Sequence, residues 1–384
     1  MKIKDIGTVV TGKTPATSHA EFYDGDYMFV TPTELHGGYK VSASEKTITD
    51  AGLKSIKSNM ISGISVLVGC IGWDMGNVAM CFEKCATNQQ INSVTRIKDS
   101  FNPYYLYYWL STKKDYLFSI ASVTRTPILS KGVFEEIEIP NIDRLEQDKI
   151  SKILLSLDQK IEYNAAVNDN LDSTMQAIYK NYFVDFTPFK SEPTCATKLG
   201  EIPASWSVCK FCDLCDLLNG RAYSQEELLD SGKYRVLRVG NFFTKNSWYY
   251  SDMELEDNKY CYPDDLLFCW SASFGLYIWN DVKTIYHYHI WKIDFSKTAP
   301  YYREYIFLYL KQELNKLSKE GHGSVMAHLT KSGVENLDIV SPPEEIIKQF
   351  HNSIIPFIEH KKLVEKEVQQ LTELRESILS KMVS

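Results

Sequence analysis

The chain has no apolar run approaching the ~18 residues that a membrane span requires, so no spanning helix is expected. It also lacks a basic excess. Against 42 lysines and arginines stand 49 acidic residues, a formal net charge of −7. The two signs nearly balance along the chain, so electrostatic affinity for nucleic acid has to come from local patches or from a basic partner. There is no HExxH pattern, no Ser–His–Asp order and no paired-carboxylate motif, so nothing calls for a hydrolytic centre. The start, MKIKDIGTVV, lacks the apolar stretch of a secretory signal. The nine cysteines are odd in number and scattered. Without an export signal they read as reduced thiols, and the expected location is cytoplasmic.

What the chain does have is an internal repeat. Leu129, Leu171 and Ile178 recur 200 residues later as Leu329, Leu371 and Ile378. Tyr105, Leu110, Lys131 and Ile139 match Tyr305, Leu310, Lys331 and Ile339 at the same offset. Nearer the start the offset is 208, with Gly12 and Lys13 matching Gly220 and Arg221. The length change therefore falls between these turns and Tyr105. Each copy reads as a mixed α and β part followed by a long helix, an α+β class. In the first helix Ile150, Leu154, Leu157, Ile161, Asn164, Asn168, Leu171, Met175, Ile178 and Tyr182 alternate steps of four and three, a heptad seam. In the second the same register gives Phe350, Ile354, Phe357, Lys361, Val364, Val368, Leu371, Arg375, Ile378 and Met382. About 34 residues make each helix roughly 51 Å long. The expected parts are 1–144, a helix over 145–186, a linker over 187–198, a second domain over 199–342 and a helix over 343–384.

The repeat also weighs the motifs. Gly7–Thr14 fits the phosphate-loop pattern, but only six residues precede it and Pro15 follows at once. Its counterpart 215–222 has Cys215 for the first glycine and Ala222 for Thr14. A tight turn presenting Lys13 or Arg221 is the simpler reading. Asn102–Tyr105 is similar to the methyltransferase tetrapeptide but lacks its second proline, and it reads as a helix start. Cys209, Cys212 and Cys215 have metal-like spacing, yet Met1, Lys4 and Gly7 stand in copy one, so no metal is expected. Tyr286–His289 alternates and is expected to put His287 and His289 on one strand face.

The ordered phrases resemble the specificity subunit of Type I restriction–modification systems. They are TGKTP with FYDGDYMFVTPTEL (11–35), PYYLYYWL (103–110), ATNQQIN (86–92), LGEIPASW (199–206), PDDLLFCWSASFG (263–275) and LRESILSKM (374–382). The resemblance covers essentially the whole chain. It implies two target-recognition domains, each reading half of a split double-stranded DNA site, separated by two long antiparallel coiled-coil helices with pseudo-twofold repeat. It implies two modification subunits docked on the helices, and restriction subunits that translocate and cleave. The subunit itself would be non-catalytic and bind no cofactor. S-adenosylmethionine, ATP and magnesium would belong to the partners. TPTEL has no match in copy two, where VLRVGNF (236–242) stands.

Polar residues on loops and strand ends are the expected DNA contacts. In copy one these are Lys13, Thr33, Glu34, Trp73, Asn88, Gln89, Gln90 and Arg125. In copy two they are Arg221, Arg238, Asn241, Ser271, Ser273, His287, His289 and Lys331. Leu154, Leu157, Ile161, Leu171, Ile178, Ile354, Phe357, Val364, Leu371 and Ile378 are expected to pack the helices. The competing readings are a coiled-coil scaffold with protein-binding ends, and a nucleotide-binding enzyme using Gly7–Thr14.

Overall fold

The computed structural model describes residues 1–123, 125–243, 247–271, 274–320 and 330–383. The chain divides into two units, residues 1–165 with 367–384, and residues 166–366. Leu329 and Ser273 lie outside the described residues.

Eight strands of the first unit form two four-stranded sheets. They are β1 (Thr8–Thr11), β2 (Tyr23–Val30), β3 (Lys46–Ile48), β4 (Met60–Ile61), β5 (Ser65–Gly69), β6 (Val78–Cys81), β7 (Cys85–Thr87) and β8 (Ile91–Thr95). One sheet runs β1-β8-β5-β6 and is antiparallel throughout. The other runs β3-β2-β7-β4, with β2 and β7 parallel. β5 and β8 are buried along their whole length, so they read as short unbroken apolar or small-residue runs rather than alternating ones. Leu67, Ala79, Cys81 and Ile91 join Val30 and Cys85 in one core. Val66, Val68, Met80 and Val94 join Tyr105, Leu106, Ile150 and Leu154 in another. Asn102 caps helix Pro103–Ser111 by accepting from the Tyr104 and Tyr105 amides at 2.8 and 3.2 Å. Its side-chain amide donates to Asp148 at 2.6 Å, tying the short helix to the long one.

The second unit repeats the plan strand for strand. Asp216–Asn219, Ile290–Asp294, Leu266–Cys269 and Gly275–Ile278 form one sheet in that order. Tyr249–Ser251, Tyr234–Leu237, Thr284–Tyr286 and Tyr260–Cys261 form the other, with the same parallel pair at its centre. Phe29↔Ala86 corresponds to Val236↔Ile285. The length change falls between β2 and β4, where the first unit carries the helix Asp50–Ser55. TPTEL also finds its counterpart. A 3₁₀ turn, Pro32–His36, follows β2, and Val239–Phe242 follows Tyr234–Leu237. The Glu34 carboxylate accepts from Thr31 N at 2.7 Å, and Asn241 Oδ1 accepts from Arg238 N at 2.9 Å. Different residues make one turn because both supply a side-chain oxygen three positions on.

The long helices are Arg144–Phe183 and Glu344–Met382. They run antiparallel inside each unit. In the first unit Asp158 meets Arg375 at 2.9 Å and Asn164 meets Glu367 at 2.8 Å. In the second Asp172 meets Lys361 at 2.6 Å. Leu154, Ile354 and Val364 are buried, while Leu157, Ile161, Leu171, Ile178, Phe357, Leu371 and Ile378 are half-buried. Ile150, Leu154 and Asp158, like Phe350, Ile354 and Ile358, form buried lines of step four. A strict heptad predicts Leu157 and Phe357 instead. The difference arises because each helix packs on its domain as well as on its partner, which widens the buried stripe beyond a two-position seam. In the second unit Tyr179, Phe183, Tyr305, Phe350 and Trp206 build an aromatic core, with Phe183 4.7 Å from Phe350 and 4.6 Å from Tyr305 between ring centres. The 187–198 segment carries a 3₁₀ turn and the strand Thr194–Thr197, and buries Phe189 against Trp206.

Candidate nucleic-acid interface

At one end of the sheets of the first unit, five loops converge. Gly12 N donates to Ile91 O at 3.0 Å and Lys13 N to Thr87 O at 2.9 Å, pinning the turn after β1 to the turn after β7. Asn88 N donates to Val30 O at 3.0 Å, adding the turn after β2. Cys70 N donates to Gln90 O at 2.7 Å, and Leu129 N to Cys70 O at 2.8 Å. These bring in the loop after β5 and the hairpin of Ser122–Val123 with Pro127–Ile128.

Gly12 is a packing glycine. A Cβ there would sit 2.1 Å from Asn88 O and 2.2 Å from Thr87 Oγ1. Within Gly7–Thr14 the chain is strand from Thr8 to Thr11, and no α-helix follows it before β2. A phosphate loop needs its glycine-rich backbone free and a helix after it. The nucleotide-enzyme reading of this segment is therefore set aside. Gly220 repeats the contact, 2.4 Å from both Tyr286 O and His287 O.

The predicted residues separate into two kinds. Glu34 is spent on the Thr31 cap, and Asn88 on its own turn, bonding Gln90 N at 3.0 Å and the Gln90 side chain at 2.8 Å. Lys13, Thr33, Gln89 and Arg125 are exposed, as is Trp73, a residue 71% accessible whose ring leans on Phe118. Gln89 accepts from Thr14 Oγ1 at 2.9 Å, which fixes it beside Lys13. Among the described residues Lys13 and Arg125 make no ion pair.

The second unit presents the same cluster with other chemistry. Arg221 N donates to Tyr286 O at 3.0 Å, but its guanidinium is held by Glu227 through two bonds of 3.1 and 2.6 Å. That pairing pulls the Glu227 carboxyl down to about 2. Asn241 is buried in its cap. Arg238 is exposed and lies over the Tyr249 ring. Ser271 is half-buried beside Trp270. Lys331 starts the short helix Lys331–Glu335 and pairs with Glu335 at 3.6 Å, as Lys131 does with Glu135. No described hydrogen bond ties Lys331 to the cluster.

His287 extends Thr284–Tyr286 by a parallel bridge to Arg221, while His289 lies in the turn before Ile290–Asp294, so the two do not share a strand face. Ile290 N donates back to His287 O at 3.0 Å, so the chain reverses there. The rings nevertheless gather, with His287 4.7 Å from His289 and Tyr288 3.9 Å from His289 between ring centres. Tyr288 is an exposed aromatic that sequence reasoning passed over, although YHYH contained it. Phe243, 60% exposed just after the Val239–Phe242 turn, is another. Trp279 and Trp291 are buried, while Trp270 and Trp248 are half-buried.

Burial first, then the charges of His289 and Arg238, lowers His287 to about 4. It is therefore neutral at pH 7, with one donor and one acceptor nitrogen. Because the folded value lies below the unfolded one near 6.5, its contribution to stability is present above pH ~6.5 and is lost as pH falls toward ~4. An NMR titration of His287 is expected to give a midpoint below ~5. A midpoint near 6.5 would contradict this environment.

The cysteines expected to need no metal are spread over a strand, Ser207–Lys210, and the short helix Phe211–Leu214 with its cap. Burial pushes the Cys215 thiol up. Among the described residues no cluster of three or more His, Cys, Asp or Glu side chains could hold a metal ion. No described helix is long and apolar enough to cross a membrane.

Two copies of a strand-end cluster, each joined to a long helix, define a duplicated α+β scaffold. The family model described as "Type I restriction modification DNA specificity domain" matches residues 1–173 and again 203–373. The Type I restriction enzyme MjaIX specificity subunit of Methanocaldococcus jannaschii is 28% identical over 400 residues, spanning 100% of this chain and 91% of that protein. The HindI specificity subunit of Haemophilus influenzae is 30% identical over 174 residues, 44% of this chain and 37% of that one. The crystal structure of a Type I S subunit from M. genitalium superposes with a TM-score of 0.60 at 13% identity, covering 100% of this chain and 95% of its own. The chain belongs to the Type I restriction–modification specificity-subunit family, the non-catalytic subunits of these systems.

Proposed function

We propose that each unit reads one half of a bipartite, asymmetric site in double-stranded DNA. The observation that carries this is the paired strand-end cluster. Both units hold it with equivalent backbone bonds, yet one offers Lys13, Gln89, Trp73 and Arg125 and the other Arg238, His287, Tyr288 and His289. A shared frame with different side chains fits two different half-sequences. Amides, imidazoles and guanidinium groups are the usual readers of base edges. The near-neutral charge leaves room for partners to complete the grip on phosphates.

The long helices then serve as spacer and as docking platform for two modification subunits, with restriction subunits joining them. The division into 1–144, 145–186, 187–198, 199–342 and 343–384 follows from that role. S-adenosylmethionine, ATP and magnesium are handled by those partners, and the complex works in the cytoplasm. A helix of 40 residues is roughly 60 Å long, enough to hold two domains one DNA turn of ~34–36 Å apart. Inserting one heptad into both helices adds about 10 Å. The gap between half-sites, mapped by adenine methylation, is expected to lengthen by roughly 3 bp at ~3.4 Å per base pair. An unchanged gap would remove the helices from the role of ruler.

A further inference from the structure

The polar contacts of the helix seam are arranged by copy. In the first unit Asp158 is 4% exposed and accepts from Arg375 at 2.9 Å and from Tyr108 Oη at 2.7 Å. In the second, Asp172 accepts from Lys361 at 2.6 Å and Lys311 at 3.1 Å. Both carboxylates come from the first long helix, and Arg375 and Lys361 both come from the second. Burial opposes ionisation of Asp172, and the Lys361 and Lys311 ammoniums outweigh it, leaving its carboxyl below the ordinary value.

The repeat relates each residue to one 200 positions on, so every pair has a symmetry mate. The mate of Asp158–Arg375 is Ile358 with Met175, both buried in an apolar cluster. The mate of Asp172–Lys361 is Thr372 with Ile161, and Leu308 stands where Tyr108 would be. Asn164–Glu367 maps onto Val364 and Val167. The fold therefore accepts uncharged residues, most of them apolar, at these places. Replacing a buried ion pair by apolar groups is often neutral or stabilising, so stability alone does not explain the charges. Arg375 even leaves its Nε without a partner.

We infer that these charges are a heterotypic lock that makes the first long helix pair with the second and rejects pairing of like with like. If two first helices paired in this register, Asp158 would face Met175 and Asp172 would face Ile161. If two second helices paired, Arg375 would face Ile358 and Lys361 would face Thr372. Either arrangement strands charges against apolar or neutral groups, a device of register and partner choice. The surface thus fits one partner, a seam of the opposite copy. It keeps copies of this chain from assembling through like halves.

The test uses the full chain carrying a protease site at the exposed Lys190–Ser191 turn. The folded protein is cut, unfolded in urea, refolded, and its species counted by native mass spectrometry. Cut wild-type protein is expected to return only the unlike pair of halves. A variant carrying the symmetry mates, D158I, N164V, D172T, K361I, E367V and R375M, is expected to yield like pairs as well, approaching 1:2:1. Like pairs from the wild type, or unlike pairs alone from the variant, would overturn the inference. If that variant fails to refold, a second one exchanges the charges instead, D158R and D172K with R375D and K361D. Cut, isotope-labelled exchanged protein is mixed with cut wild type and refolded. Each half is expected to re-pair with its own kind at least 10-fold over the other, and free mixing would overturn the lock.

Discussion

Replacing Phe350 by alanine is expected to destabilise the second unit by about 3–5 kcal/mol, the range for an aromatic removed from a packed core. Its ring is fully buried and touches Phe183, Tyr179 and Tyr182 at 4.7, 6.2 and 5.8 Å between centres. These three residues belong to the end of the first long helix, and Phe350 to the start of the second. The ring thus joins the two helices, and Phe183, packed against it, carries the contact on to Tyr305 and Trp206 of the domain. The residual cavity is lined by large rings held at fixed spacing by both helices, which collapse poorly around a void. Urea unfolding followed by the fluorescence of Trp206 and its neighbours measures the effect. A loss under ~1 kcal/mol would show that the aromatic cluster is not the joint between helix and domain.

Replacing Lys13 and Gln89 together by alanine is expected to weaken binding to a full site by about 2–4 kcal/mol, roughly 30- to 1000-fold. Neither residue builds the fold. Lys13 is held by its backbone, and the Gln89 side chain by one exposed bond from Thr14. The melting temperature should therefore stay within a degree or two. The loss has a direction as well as a size. Discrimination should relax in the half-site read by the first unit and stay intact in the other half. Binding of the partner-loaded protein to DNA with each half scrambled in turn separates these outcomes. An equal loss on both halves, or none, would place the first unit's reading surface elsewhere.

The repeat was legible because its carriers, such as Tyr105 and Tyr305 or Leu171 and Leu371, keep one offset through helices where an insertion would rotate the buried face. The sheets were less legible. Strands such as Met60–Ile61 and Cys85–Thr87 are two and three residues long, too short for a period to register. Those buried on both faces show no alternation. Tyr286–His289 looked like one strand because aromatic and imidazole side chains alternated, but only Tyr286 and His287 are extended, and the hydrogen bond from Ile290 N to His287 O reverses the chain at Tyr288 and His289. TPTEL and VLRVGNF share no residue at equivalent positions, since Glu and Asn side chains both cap the same backbone turn.

The candidate site was legible as a set of loops and less so as a set of side chains. Glu34, Asn88, Asn241 and Arg221 are residue types suited to reading bases, and the fold employs each of them internally. Composition cannot separate an Asn that caps a turn from one that faces solvent. The polar seam was hidden for a similar reason. Counting apolar heptads selects Leu157 and passes over Asp158, yet the aspartate is the buried one because Arg375 and Tyr108 satisfy it.

The most direct measurement is a genome-wide map of methyladenine in a host that co-expresses this chain with its modification subunit. The account predicts a single split motif, asymmetric between its halves, with one methylated adenine in each half on opposite strands. No motif, or a continuous palindrome, would contradict it.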